Sequence, residues 1–181
     1  LKEAGSGFMQ FIPIVERIAE SPREDGLTLI KPNDGEALAA PWCVQPRQYG
    51  EFLTAIFDEW VRNDVGAVFV QLFDITLAAW MGYDPPLCVF REVCGEGLAL
   101  EHNGDLYSCD HFVYPENRLG NILETPLIEL VTSAQQRQFG EAKRDCLPEY
   151  CRTCAYHFAC HGECPKHRFL TSPGGEPHLN Y

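Results

Sequence analysis

The sequence predicts an α/β chain that gives way, near residue 86, to a small cysteine-rich α+β unit. Three observations carry that expectation. Strand-like and helix-like periodicities alternate before Asp84-Pro85-Pro86, and the paired prolines there stop any helix. Of nine cysteines, Cys43 stands apart, while the other eight fall between Cys88 and Cys164. Beyond Cys146 the hydrophobic periodicity fades and only short loops separate the cysteines.

Taken in order, Phe8-Met9-Gln10-Phe11-Ile12 reads as a strand ended by Pro13, and Pro22 to Gly35 reads as a loop. From Arg47 to Asn63, Phe52, Leu53, Ile56, Phe57, Trp60 and Val61 recur at helical spacing. Pro46 suits the first turn of that helix, and Gly66 is placed to stop it. Ala67 to Leu72 reads as a buried strand, followed by a helix capped by Asp74 and running to about Met81, with Gly82 at its end. Strand, helix, strand, helix is the pattern of a parallel sheet or of a barrel segment. Further on, Leu98 and Leu100 face Leu106 and Tyr107 across Asn103-Gly104, a strong hairpin signal. Thr125-Pro126 begins a short capped helix, and Gln135 to Arg144 continues as helix. The segment after Cys146 cannot form an ordinary core, so metal ligation is expected to hold it.

Composition narrows the function. The 14 basic and 26 acidic residues leave a net charge of −12. That balance argues against a nucleic-acid surface, which needs clustered Lys and Arg. No apolar run approaches the ~18 residues of a membrane helix, so no membrane partner is expected. The chain opens on Leu1 without a charged-then-apolar leader and stops at His178-Leu179-Asn180-Tyr181, and is read as a fragment.

The cysteine order carries the chemistry. Cys151 and Cys154 form a CxxC pair, followed by Cys160 and Cys164, with Cys88, Cys94 and Cys109 upstream. Thiolates are soft ligands that select zinc or iron–sulfur iron over magnesium or calcium. Three readings stay open on the residues alone. One is disulfides, which CxxC spacing disfavours for stapling distant segments. The others are zinc sites, helped by His111, His157 and His161, and iron–sulfur clusters. Seven clustered cysteines fill one four-thiolate site and leave another one ligand short.

Cys88 to Cys109, the run Gly104-Asp105-Leu106-Tyr107-Ser108-Cys109-Asp110-His111-Phe112, Leu119-Gly120-Asn121-Ile122, and Cys151 to Pro165 together resemble the SPASM domain of anaerobic sulfatase-maturating enzymes. These are radical S-adenosylmethionine enzymes. Phe8 to Pro13 and Gln48-Tyr49-Gly50-Glu51-Phe52 resemble the last units of their partial (β/α) barrel. The resemblance implies a barrel part over residues 1–86 and an auxiliary iron–sulfur domain over 87–181. It also implies one auxiliary [4Fe–4S] cluster on Cys88, Cys94, Cys109 and Cys164, and three ligands of a second on Cys151, Cys154 and Cys160. The eighth ligand of the family falls just past Tyr181, with Cys146 as a substitute in hypothesis only.

The implied reaction is oxidation of a Ser or Cys of a sulfatase polypeptide, within a Cys/Ser-x-Pro-x-Arg motif, to Cα-formylglycine in the anaerobic cytoplasm. Asp110 matches the catalytic base of the family. The family's CxxxCxxC motif, which holds the cluster that cleaves S-adenosylmethionine, is absent; Cys146, Cys151 and Cys154 give one residue too many. These residues alone are therefore expected to be inactive. Without the resemblance, Asp110 reads as a loop carboxylate capping a turn or pairing with Arg118. His111 reads as a loop residue, Tyr107 and Tyr114 as packing, and Glu163 and Lys166 as solvated. The competing class is a cluster- or zinc-stabilised peptide-binding module without chemistry of its own, or a maturase of another peptide.

Overall fold

A computed structural model describes residues 2–19 and 37–181. The loop expected from Pro22 to Gly35 lies outside the described residues. The chain divides into two compact units, Leu1–Pro85 with Tyr181, and Pro86–Asn180. Among the described residues, no helix is long and apolar enough to cross a membrane.

The first unit is α/β. Strand β1 (Phe8–Met9) is shorter than the sequence suggests, and β2 (Arg17–Ala19) pairs antiparallel with β3 (Ala37–Ala39). Helix α1 (Pro46–Asn63) has Pro46 in its first turn, where a missing N–H costs nothing. Strand β4 (Phe69–Val70) runs parallel to β1, with Phe8 opposite Phe69 and their rings stacked at 5.1 Å. Helix α2 (Gln71–Trp80) starts directly from β4 with Val70 in the cap position. Asp74 is therefore not its cap but a member of its first turn, where a carboxylate suits the positive end of the helix. Trp60, Val70 and Phe73 form the buried centre, with Leu53 and Ile56 of α1 packed on it. The indole N–H of Trp60 donates to the Val68 carbonyl at 2.8 Å, so burial leaves no donor unpaired.

The second unit is built on a three-stranded antiparallel sheet, β5 (Ala99–Leu100), β6 (Asp105–Tyr107) and β7 (Arg118–Asn121), in the order β5-β6-β7. The Asn103-Gly104 turn joins β5 to β6, and Gly104 has φ +89°, which its neighbours in the hairpin require. Helix α3 (Leu127–Val131) has Pro126, not Thr125, at its cap, without a side-chain bond. Helix α4 (Ala134–Asp145) is capped by Ser133, whose Oγ accepts from the Gln136 N–H at 3.1 Å. Beyond it come α5 (Glu149–Arg152) and α6 (His157–Cys160), each a single turn.

Arg118 of β7 pairs with Asp105 of β6 at 2.5 Å, and Asn121 Nδ2 donates to the same carboxylate at 3.0 Å. These bonds, the Arg118 guanidinium first, hold the Asp105 carboxyl down to about 2. The stabilisation is fully present above the ordinary carboxylate pKa and is lost as pH falls from about 4 toward 2. Asp105→Asn is expected to flatten that acid limb in unfolding midpoints measured across the same range. An unchanged acid limb would mean that other carboxylates dominate it.

Candidate metal centre

None of the nine cysteines is joined to another by a disulfide. Cys43 is buried in the first unit, where its sulfur accepts from the Glu16 N–H at 3.1 Å and its S–H reaches the Glu16 carbonyl at 3.2 Å. It is a structural thiol.

The remaining candidates fall into two neighbourhoods. Cys164 lies near Cys88 and Cys94, and Cys109 near Cys164, close enough that ionising one thiol would hinder ionising the next. Cys151 feels Cys160 and Cys154 in the same way. Burial pushes Cys164 up to about 12, with Glu163, Cys88 and Cys94 adding to the effect. Burial also raises Cys109 to about 12, helped by the Asp110 carboxylate that its thiol contacts at 3.2 Å. Bare thiols of this kind stay protonated at neutral pH, so a metal must displace their protons as it binds.

Helix α4 supplies no thiol to either neighbourhood, yet its buried residues address the loops that do. Gln136, Gly140 and Lys143 are buried at positions i, i+4 and i+7, one face of the helix. Gln136 Nε2 donates to the Gly95 carbonyl at 2.6 Å, next to Cys94, and to the Ser108 carbonyl at 3.1 Å, next to Cys109. The Cys94 N–H donates to the Gly140 carbonyl at 3.3 Å. A Cβ on Gly140 would lie 2.3 Å from the Cys94 carbonyl oxygen, so only glycine permits this approach. Lys143 Nζ donates to the carbonyls of Cys88 at 2.6 Å, Val89 at 3.0 Å and Arg91. One helix face thus holds the backbone beside Cys88, Cys94 and Cys109.

Cys164 arrives on an unusual loop. His161, Gly162 and Glu163 all have positive φ, at 47°, 69° and 53°, and the two non-glycine residues are held there against their preference. The restraint is Arg168, whose guanidinium donates to the carbonyls of His161, Gly162 and Glu163 at 3.0, 2.8 and 3.1 Å. Its remaining nitrogen donates to the Lys143 carbonyl at 2.6 Å, tying this loop to α4. Glu163 is not solvated as its sequence context suggests: its Oε2 meets His167 Nδ1 and Asn180 Nδ2, each at 2.9 Å.

Among the described residues, Cys109, Asp110 and His111 have ligand-type atoms all within 4.8 Å of one another. His111 Nδ1 lies 3.5 Å from the Cys164 sulfur, so this side chain belongs to the thiol neighbourhood and is not a bystander in its loop. Arg118 is committed to Asp105, which removes the ion pair that would have made Asp110 a structural carboxylate. Asp110 is exposed, and its backbone N–H is fixed on the Gly97 carbonyl at 3.2 Å. Tyr107 lies in β6 and Tyr114 precedes a 3-10 turn. Sequence reasoning missed Gln136, Lys143 and Arg168. For Gln136 and Lys143 the signal is a helix whose buried face is polar where an amphipathic pattern calls for apolar residues; Arg168, outside that helix, gives none.

The donor set fits a thiolate-ligated metal group. Lys143 is 1% exposed and Arg168 6%, and among the described residues neither has an ion-pair partner within 4 Å. Buried cations need nearby negative charge, and thiolates around iron or zinc supply it.

Comparisons with known proteins converge on the same chemistry. Residues 88–155 match the family described as SPASM, an iron-sulfur cluster-binding domain. The chain is 49% identical over 181 residues to the serine-type anaerobic sulfatase-maturating enzyme of Bacteroides thetaiotaomicron, covering 99% of this chain and 43% of that protein. The serine-type enzyme of Klebsiella pneumoniae is 30% identical, over 92% of this chain and 38% of its own length. The cysteine-type enzyme of Clostridium novyi is 27% identical, over 93% and 41%. The solved structure of native anSMEcpe with bound AdoMet matches 99% of this chain and 45% of its own, with a TM-score of 0.75 at 24% identity, and so shares the fold. The chain is homologous to anaerobic sulfatase-maturating enzymes along nearly its whole length, and it spans well under half of those relatives.

Proposed function

We propose that this chain is the auxiliary-cluster part of a radical S-adenosylmethionine enzyme that oxidises a serine of a sulfatase polypeptide to Cα-formylglycine. The observation that carries the reading is the 49% identity to a serine-type relative along 99% of the chain, against 27% to a cysteine-type one. In this reading the first unit closes a partial (β/α) barrel. Its parallel β1–β4 pair, with α1 and α2 following strands, supports that assignment.

Cys88, Cys94, Cys109 and Cys164 hold one [4Fe–4S] cluster, and Cys151, Cys154 and Cys160 supply three ligands of the second; the grouping of their thiols supports both sets. When bound, S-adenosylmethionine with its own cluster would supply a hydrogen-abstracting radical, and the auxiliary clusters an acceptor for the electron that leaves. Asp110 is the general base. As a thiolate ligand, Cys109 has no proton to share with Asp110, so the carboxylate oxygen that its thiol contacts becomes free to accept the serine hydroxyl proton. The Gly97 and Cys109 anchors on either side fix that carboxylate on a rigid loop. The acidic balance of the chain, −12, suits a substrate segment that bears arginine.

The test is incubation of the whole protein, anaerobically and with S-adenosylmethionine and reductant, with a peptide carrying a Ser-x-Pro-x-Arg core. Loss of two hydrogens at the serine, read by mass spectrometry, is expected. Modification of a cysteine peptide only would move the assignment to the cysteine type. No modification of either, with clusters intact, would favour a peptide-binding module.

A further inference from the structure

Lys143 and Arg168 are the least exposed cations of the second unit, and their hydrogen bonds define their charge state. Three carbonyl acceptors on Lys143 Nζ require three N–H donors, which only an ammonium carries. Arg168 meets four carbonyls and stays a guanidinium at any working pH. The two are linked, since the Lys143 carbonyl accepts from Arg168 at 2.6 Å. Their placement differs in one respect. Lys143 binds the turn at Cys88, a residue of the four-thiol neighbourhood alone. Arg168 binds the His161–Glu163 loop, which runs from Cys160 of one neighbourhood to Cys164 of the other.

We infer that Lys143 and Arg168 are positioning residues whose fixed charges set the reduction potentials of the auxiliary clusters, Lys143 for the four-thiol centre and Arg168 for both. The inference rests on the cluster reading above. One-electron reduction adds a negative charge to a centre already surrounded by thiolates. A cation held nearby in a low-dielectric interior favours the reduced form, and carbonyl partners do not cancel its charge.

An EPR-monitored redox titration of the whole, anaerobically purified protein tests this, with the four-thiol signal identified as the one that Cys164→Ala abolishes. Lys143→Met and Lys143→Gln are expected to lower the potential of that centre. The oxidised-to-reduced ratio at a fixed potential then rises about tenfold, ~59 mV for one electron. The second centre stays put. Arg168→Met and Arg168→Gln are expected to lower both. Lys143→Arg and Arg168→Lys keep the charge and should keep both ratios within about threefold of the unaltered protein.

Loaded neutral variants with unaltered potentials would overturn the inference while leaving the cluster reading intact. If no neutral variant folds, the charge-retaining ones decide: ratios within about threefold uphold the inference, and larger shifts overturn it. Failure of neutral and charge-retaining variants alike would overturn it, because shape would then be what the site needs. Absence of an iron–sulfur signal at these cysteines in the unaltered protein would overturn the cluster reading itself.

Discussion

Asp110→Asn is expected to lower the rate of the proposed serine oxidation by about 10²–10⁴-fold while leaving iron and sulfide content unchanged. Asparagine keeps the shape of the side chain and loses the basic oxygen. Among the described residues no cation pairs with the carboxylate, and Arg118 is spent on Asp105 at 2.5 Å. It is exposed, lies against the Cys109 sulfur at 3.2 Å, and follows a residue proposed to be fixed by metal. Initial rates of peptide conversion, measured beside iron and sulfide assays, separate catalysis from assembly. A normal rate with normal iron would reduce Asp110 to a loop carboxylate and send the search for the base elsewhere.

The second large effect concerns assembly. Cys164→Ala is expected to remove about four iron and four sulfide atoms per chain, one whole cluster. Cys164 is 7% exposed and its thiol is the one that senses both Cys88 and Cys94. Losing it opens the closed side of the site. Cys151→Ala should remove a comparable amount from the other centre. Cys146→Ala should remove none, since that thiol, at the C-terminal end of α4, lies outside the proposed ligand set. Metal and sulfide analysis after anaerobic purification reads all three. Equal iron in the Cys164 and Cys146 variants would contradict the proposed ligand set.

The sequence was most legible where a local rule acts alone. The 3.6-residue period of Phe52, Ile56 and Trp60, with Pro46 ahead of it, marks α1 to within a residue. Gly104 marks the β5–β6 turn because its φ of +89° is one that glycine alone adopts freely. Capping residues were less reliable. Asp74 and Thr125 look like caps, yet α2 begins three residues before Asp74, and α3 starts after Pro126. In both places the chain entered the helix without a side-chain bond, so the short polar residue carried no signal. Strands β2, β3 and β7 are too short, and too rich in Ala, Gly and Arg, for alternation to reveal them.

At the metal centre, spacing singles out CxxC but is silent on which distant thiol joins which. The proximity of Cys164 to Cys88 depends on Arg168 and Lys143, whose partners are backbone carbonyls. A carbonyl acceptor has no residue identity, so no pattern of letters announces such a bond. That is why the polar face of α4, carrying Gln136, Gly140 and Lys143, escapes a reading based on hydrophobic periodicity.

The same helix face has a consequence for how fast the unit is made. Its bonds join residues far apart in the chain: Lys143 to Cys88 spans 55 positions, Gln136 to Gly95 41, and Gln136 to Ser108 28. Each requires a long loop to close before it returns any stabilisation, which is the circumstance that slows folding. The strained loop bearing Cys164 then closes from the other side, 25 positions from Lys143. The bonds of helix α4 itself are local, with Ser133 at its start, and it offers the face on which the thiol loops must condense. A metal group arriving before that condensation would meet dispersed thiols, and one arriving after it a finished socket.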